Sequence, residues 1–320
     1  MNRRQTIPKH LRLTINDFNR RFPDDDACLE AIKEMRFADG YAPCEKCQQQ
    51  RKHHRVTGRP AYACDYCGSM ISPMAGTIFE KSSTSLRLWF YAMYLMSSTR
   101  CGISAKQIQR ETGVTYKTAW RMFRQIRSLL SEGDMQLEGP ATVEIDEMYV
   151  GGTTKRLGAI PKPKTTVVGA VERKGGRVIA RVAPDATKPT LHGFIKEYVL
   201  PGSVLFTDEH PSYEGIEGPH YRHYRVRHSG RVYVTGSRGQ IHTQTIEGFW
   251  SLVKRGIGGV YHSVSTKYLQ SYLDEYSFRY NRREKGNLIF NDVLERVSER
   301  VGSPLAAAVH QNPVSQEDAF

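Results

Sequence analysis

Three acidic residues in different local settings are the part of this sequence best suited to chemistry. Asp146 and Asp208 each end an apolar-rich run, and Glu247 opens a helix-like segment that continues to Lys254. Carboxylates on two strand ends and one helix can converge on one point and hold a pair of divalent metal ions. Such a pair clamps the attacking and leaving oxygens of a phosphodiester displacement. The sequence therefore predicts a metal-dependent phosphoryl-transfer site.

The order of the surrounding elements supports this convergence. Residues 167–171 and 177–182 are predicted to form a β-hairpin joined at two glycines, after the strand that ends at Asp146. Residues 191–198 follow as a helix, and residues 204–207 form the strand that delivers Asp208. This βββαβ order places the two aspartates on neighbouring strands of a ribonuclease-H-like sheet, and Glu247 approaches from a later helix.

Other carboxylates compete for the same role. Glu144 and Asp146 point to the same side of a strand, and Glu147 and Glu209 are further candidates. Strand periodicity alone leaves these alternatives open.

Lys254 lies about two helical turns after Glu247, on the same face of one predicted helix. We expect its ammonium group, with the neighbouring Arg255, to bind a DNA phosphate beside the acids. The apolar residues of this helix are expected to pack on the sheet, with base stacking as the less favoured alternative. They are Phe249, Trp250, Leu252 and Val253.

Two Cys-x-x-Cys pairs, Cys44 with Cys47 and Cys64 with Cys67, predict a structural zinc site. Two tight turns at this spacing can present four thiolates to one Zn²⁺ in a zinc ribbon, whereas redox or chance pairs are the alternative. A site filled by four thiolates has no open position, so we expect no catalysis there. The basic residues between the pairs either contact phosphate or form a solvated loop. They are Arg51, Lys52, Arg55 and Arg59.

After a predicted helix over residues 82–96, the pattern is that of a helix-turn-helix. Ser104 suits the N-cap of a short helix reaching Thr112, Gly113 supplies the turn, and Thr115 caps a second helix. The outer face of the second helix carries residue types that reach bases and phosphates in a major groove. These predicted DNA contacts are Tyr116, Lys117, Thr118, Arg121 and Arg124. A plain helical hairpin with a solvated basic face is the alternative.

Size and charge agree with a multi-domain α+β protein that binds a polyanion. The chain has 320 residues and a net charge of +13, and a generally basic soluble protein is the alternative explanation. No apolar run approaches the roughly 20 residues of a membrane span, and Cys28 and Cys101 are expected to be free thiols of a reducing compartment. We predict an N-terminal helical segment and zinc ribbon (1–80), a helix-turn-helix region (81–135), a catalytic domain (140–300) and a tail (301–320).

Histidines raise weaker possibilities. Basic and aromatic residues alternate over positions 220–233, a pattern that suits a groove for single strands or DNA ends. A metal site built from His220, His223 and His228 is a further alternative. His242 could reach the acids, and the sequence assigns no role to Gln244.

Together these motifs resemble the insertion-sequence transposases of the IS1595 group, also called ISXO2-like. The resemblance is most specific at residues 143–152, 207–213 and 241–255. It implies a DDE transposase in which Asp146, Asp208 and Glu247 are the acidic triad and Lys254 is the lysine that follows it. It therefore favours Asp146 over Glu144.

The resemblance also implies cofactors and partners. They are Mg²⁺ or Mn²⁺ at the acids, and double-stranded DNA as both the element's terminal repeats and the target. We expect the enzyme to nick the element ends and join the freed 3′-hydroxyls to the target, as a homodimer or higher oligomer on DNA. We expect it in the bacterial cytoplasm, associated with the nucleoid, with no membrane partner. The alternatives are a DNA-binding regulator with a vestigial catalytic fold, and a nuclease or resolvase that does not join strands.

Overall fold

The computed structural model describes residues 7–99, 101–133, 135–137, 141–152, 164–226 and 242–299. The helices are α1 (Ile15–Arg21), α2 (Asp25–Arg36), α3 (Leu86–Ser98), α4 (Ala105–Thr112), α5 (Tyr116–Ser128), α6 (Lys188–Tyr198), α7 (Gln244–Gly256), α8 (Thr266–Asn281) and α9 (Ile289–Glu299). The strands are β1 (Tyr41–Cys44), β2 (Gln49–Arg55), β3 (Tyr62–Cys64), β4 (Met70–Ile71), β5 (Thr142–Val150), β6 (Thr165–Glu172), β7 (Val178–Ala183), β8 (Val204–Thr207) and β9 (Arg222–Arg225). No helix within these ranges is both long and apolar enough to cross a membrane.

The chain forms two compact units. One contains the described residues up to Leu130 together with those from Glu284 onward, and the other is Ser131–Arg283. The first unit holds α1 to α5, the antiparallel sheet β1-β2-β3-β4, and α9. The second holds the five-stranded sheet and α6 to α8.

The residues of the predicted helix-turn-helix form the predicted caps. The Ser104 hydroxyl accepts the N–H of Gln107 at the start of α4, and Gly113 ends that helix in the left-handed conformation at φ 71°. The Thr115 hydroxyl accepts the N–H of Thr118 at the start of α5. Each capping residue satisfies an N–H that the helix itself leaves without a partner.

The helix expected from Ser82 instead begins at Leu86. The four residues before it, 82–85, are Ser or Thr, whose side chains compete with helical hydrogen bonds and favour turns. The Ser82 hydroxyl accepts the indole N–H of Trp89 at 3.0 Å, which holds this turn against α3.

The last described helix belongs to the unit in which the chain begins. Phe290 of α9 is fully buried, with ring centroids 6.0 Å from Phe18, 5.8 Å from Phe22 and 6.3 Å from Tyr94. The sequence placed α9 in a catalytic domain over 140–300, whereas this aromatic core draws it into the first unit.

The second unit is a sheet with helices on both faces. The strand order is β7-β6-β5-β8-β9: β5, β6 and β7 pair antiparallel, and β8 runs parallel to both β5 and β9. Odd-numbered β5 residues such as Val143 and Ile145 pack with α6, whereas Met148 packs with α7 and α8. The predicted βββαβ order of elements is therefore present, and consecutive residues of β5 face different layers.

Candidate functional site

The register between β5 and β8 sets the two aspartates side by side. The parallel ladder runs from Thr142 opposite Val204 to Glu144 opposite Phe206. Continuing this register by two residues brings Asp146 opposite Asp208, the first residue after β8. The carboxylate of Asp208 accepts the backbone N–H of His210 at 2.9 Å, which fixes its orientation at the strand end.

Helix α7 brings the third acid to the same place. Gly169 of β6 lies opposite Asp146, and a Cβ added to it would be 2.5 Å from the Trp250 ring. The missing side chain therefore lets α7 approach the sheet closely beside Asp146. Glu247 lies exposed in the first turn of α7, and its Oε1 accepts the hydroxyl of Thr243 at 2.8 Å.

The negative charges of the neighbouring acids act on the carboxyl group of Asp146. Burial raises the pKa of Asp146 to about 7, and the negative charges of Glu147, Asp208 and Glu247 add to the effect. Repulsion among carboxylates is the condition that a bound divalent cation relieves. The site thus offers hard oxygen ligands that fit Mg²⁺ or Mn²⁺.

The acids are not packed as tightly as the ligands of one ion. In the part of the chain that the structure describes, the four cysteines are the group of three or more possible ligands whose atoms all lie within 4.8 Å of one another. Two ions about 3.5–4 Å apart need a wider set of ligands than one ion does. Among the described residues, the three acids therefore do not form a single cluster as compact as the cysteines do.

Glu147 is a fourth acid at this edge of the sheet. Its Oε2 accepts the hydroxyl of the fully buried Tyr213 at 2.9 Å. Burial raises the pKa of Glu147, and the charge of Asp208 contributes, whereas the Tyr213 hydrogen bond opposes the rise. Of the alternatives open in the sequence, Glu147 therefore lies close to the acids.

Glu144 has a different environment. It is fully buried, and its carboxylate accepts the backbone N–H groups of Thr245 and Ile246 at 2.7 Å and 3.0 Å. It therefore binds the first turn of α7, and these contacts separate it from the cluster around Asp146.

The predicted phosphate-binding residues lie at the other end of α7. Lys254 and Arg255 are exposed in its last turn, and one helix carries both Glu247 and Lys254, as predicted. The guanidinium of Arg255 donates to the hydroxyl of Ser251 at 3.2 Å.

The four cysteines have the geometry of a zinc site. The Sγ atoms of Cys44 and Cys67 are 3.5 Å apart, and those of Cys47 and Cys64 are 3.9 Å apart. Four sulfurs at 2.3 Å from one Zn²⁺ would form a tetrahedron with edges of about 3.8 Å. The residue after each second cysteine, at φ 55° and 69°, donates its N–H to the carbonyl of the first cysteine, so both pairs form the same tight turn.

The outer face of α5 is only partly available to DNA. Lys117 is exposed, but the guanidinium of Arg121 donates to the hydroxyls of Ser82 and Thr84 at 3.2 Å and 3.3 Å. The half-buried predicted contacts are Tyr116, Thr118, Arg121 and Arg124. Arg121 therefore links α5 to the turn before α3 within its own unit.

The histidines divide into separate settings. His220 is exposed, whereas His223 lies 2.8 Å from the Thr207 hydroxyl through Nε2. His228, like positions 227–233 of the predicted groove, lies outside the described residues. His242 Nδ1 is 3.2 Å from a carboxylate oxygen of Glu144. Because His228 lies outside the described residues, the alternative of a metal site built from His220, His223 and His228 stays a prediction.

Some of the site's residues escaped the sequence interpretation. Gly169 had a signal, because a glycine inside the apolar run of residues 167–171 indicates a close approach of another element. Tyr213 and the contacts of Glu144 had none, since both depend on partners distant in the chain.

Comparison with known proteins identifies two domains. Residues 136–281 match the ISXO2-like transposase domain, and residues 23–70 match the transposase zinc-ribbon domain. Over 293 residues the chain is 26% identical to an uncharacterized protein in transposable element ISH50 of Halobacterium salinarum, covering 86% of this chain and 97% of that protein. Over 108 residues it is 27% identical to an uncharacterized transposase-like protein of Haemophilus influenzae, covering 34% of this chain and 84% of that protein.

Among solved structures, one similar chain comes from the simian T-cell lymphotropic virus intasome in complex with PP2A regulatory subunit B56 gamma. The TM-score is 0.27 and the identity 14%, over 53% of this chain and 63% of that chain. The two matched domains follow each other as the sequence motifs predicted, so the chain belongs to the ISXO2-like transposases of the IS1595 group.

Proposed function

We propose that this transposase binds the terminal inverted repeats of its insertion sequence, nicks the element ends and joins the freed 3′-hydroxyls to target DNA. One observation supports the proposal above all: the parallel register of β5 and β8, continued by two residues, pairs Asp146 with Asp208, and the charges of Asp208 and Glu247 contribute to the raised pKa of Asp146. A ribonuclease-H-like core is supported by the strand order β7-β6-β5-β8-β9 in the sheet. It is also supported by the chain order, in which α6 follows β7 and precedes β8.

Asp146, Asp208 and Glu247 would hold Mg²⁺ or Mn²⁺ through their carboxylate oxygens. Bound there, these ions would make a water or hydroxyl a stronger nucleophile and offset charge on the phosphate oxygens. Lys254 binds a DNA phosphate from the exposed face of α7, and Arg255 extends that basic face. The acids fix the place of reaction, and the basic residues fix the backbone of the DNA.

DNA recognition is assigned to the first unit. Helices α4 and α5 form the helix-turn-helix, and Lys117 on the exposed start of α5 contacts the DNA. Zinc bound to the four cysteines would stabilise the small sheet of the ribbon, because a unit with so few apolar residues does not fold without a metal. Because two element ends are joined, the active assembly is a dimer or a higher oligomer on DNA.

A strand-transfer assay with labelled element ends, target DNA and Mg²⁺ tests the proposal. The variants D146N, D208N and E247Q should lose both cleavage and joining while they still bind the ends. The matched control D185N removes a surface carboxylate of the same unit and should keep both activities. Binding without cleavage by the native protein would indicate a regulator, and cleavage without joining would indicate a nuclease or resolvase.

A further inference from the structure

A buried carboxylate on β5 collects an unusual number of hydrogen-bond donors. Glu144 accepts from the N–H and hydroxyl of Thr245 at 2.7 Å and 2.8 Å, from the N–H of Ile246 at 3.0 Å, and from Nε of Arg173 at 2.6 Å. His242 Nδ1 lies 3.2 Å away. None of its solvent surface remains exposed, so this carboxylate serves the chain itself.

These contacts cap helix α7 from another element. Thr243, the residue in the N-cap position of α7, forms no side-chain cap hydrogen bond, and Glu144 accepts the first free N–H groups instead. A negative group at a helix N-terminus is favoured by the helix dipole, and buried N–H groups without acceptors are costly. The start of α7 is thus fixed to strand β5, directly before Glu247.

Arg173 connects Glu144 to β8, the strand that directly precedes Asp208. Its guanidinium lies 4.2 Å from the ring centroid of Phe206, and it also donates to the carbonyl of His242. Phe206 pairs with Glu144 in the β5–β8 ladder. One ion pair therefore touches β5, β8 and α7, in each case one or two residues before a proposed catalytic acid.

We propose that Glu144 and Arg173 are positioning residues that fix Asp146, Asp208 and Glu247 relative to one another. This role rests on the proposed function of those three acids. One oxygen of Glu144 faces the backbone N–H groups of Thr245 and Ile246, and the other faces Nε–H of Arg173. These groups can only donate, so Glu144 must accept at both oxygens. Glutamine has the same shape, but its NH₂ group would face a donor in either orientation, so E144Q loses the contact with the start of α7 or the contact with Arg173.

The test compares full-length E144Q with a matched control. Glu172 is also a buried glutamate of this sheet, on β6, and its Oε2 accepts the N–H of Arg177 at 3.1 Å. E144Q should weaken Mn²⁺ binding, followed by electron paramagnetic resonance, at least tenfold, and should raise hydrogen exchange at residues 244–248 at least tenfold. Hydrogen exchange in β6 and β7 and affinity for the element ends should change less than twofold. E172Q should leave Mn²⁺ binding unchanged.

Wild-type Mn²⁺ affinity in E144Q would overturn the proposal, even with faster exchange in α7, because the cap would then be structural only. Equal weakening by E172Q would also overturn it. If E144Q does not fold, E144D decides: it keeps the charge but shortens the side chain, and wild-type affinity in that variant would refute positioning. A native protein that binds Mn²⁺ normally but cleaves no DNA would instead refute the proposed function, and the catalytic role of the pair with it.

Discussion

The raised pKa of Asp146 leads to a stability prediction that does not depend on catalysis. In the absence of divalent cations, D146N should make the unit Ser131–Arg283 more stable than the native protein at neutral pH. The folded protein holds the Asp146 proton up to about pH 7, whereas an unfolded chain releases it near the ordinary value of 3.8. The D146N substitution removes the negative charge of residue 146, which destabilises the folded protein at neutral pH.

The size of the effect follows from the two pKa values. A rise from 3.8 to about 7 corresponds to roughly 4 kcal/mol, because each tenfold change in proton affinity is worth about 1.36 kcal/mol. The side chain of Asp146 is half-buried, so water screens part of this electrostatic energy. We therefore expect D146N to be more stable than the native protein by about 2 kcal/mol. The advantage of D146N should be absent below about pH 4, grow between pH 4 and pH 7, and stay constant above.

Urea unfolding monitored by hydrogen exchange in β5 and β6 measures this unit separately. The buffer should be freed of magnesium on a chelating resin, because a dissolved chelator would also remove zinc. Adding Mn²⁺ should then stabilise the native protein and leave D146N unchanged, because only the native site binds the ion.

The control variant D185N should show the opposite trend with pH. Asp185 accepts the N–H of Thr187 and the hydroxyls of Thr187 and Thr190, and these hydrogen bonds lower its pKa. The stability they give is present above the ordinary pKa and is lost as pH falls through the lowered one. D185N should therefore be less stable than the native protein at pH 7. If D146N were no more stable than the native protein at pH 8 without cations, the electrostatic account of the acid site would be wrong.

Four further substitutions test other parts of the structure. G169A should lower the stability of its unit by about 1–3 kcal/mol and reduce cleavage, because its Cβ would meet the Trp250 ring; a calorimetric transition unchanged from wild type would contradict this. C67S should lose zinc, measured by mass spectrometry of the metal, and expose residues 41–71 to proteolysis. K117A should weaken DNA binding with a smaller salt dependence and no change in melting temperature, whereas R121A should lower the melting temperature, since Arg121 binds its own unit.

The sequence was sufficient where a residue's neighbours along the chain determine its place. Asp146 and Asp208 could be paired because a hairpin followed by a helix and a parallel strand leaves few arrangements for two strand ends. The zinc site followed from spacing alone, since Cys-x-x-Cys on a tight turn already brings two sulfurs together.

Tertiary partners decided the rest. Periodicity put Glu144 on the same face as Asp146, but it could not show that the start of α7 would cover one and leave the other beside Asp208. The outward position of Arg121 was equally clear, yet the turn at residues 82–85 binds it. In each case the missing information was a contact between segments far apart in the chain.

The return of α9 to the first unit has a consequence for biosynthesis. N-terminal domains generally fold first while a ribosome extends the chain. Here Phe18 and Phe22 acquire their neighbour Phe290 only after the whole of the second unit, Ser131–Arg283, has been synthesised. The unit Ser131–Arg283 can fold earlier, so a polypeptide that ended before α9 would contain this folded unit together with an incomplete aromatic core in the first unit.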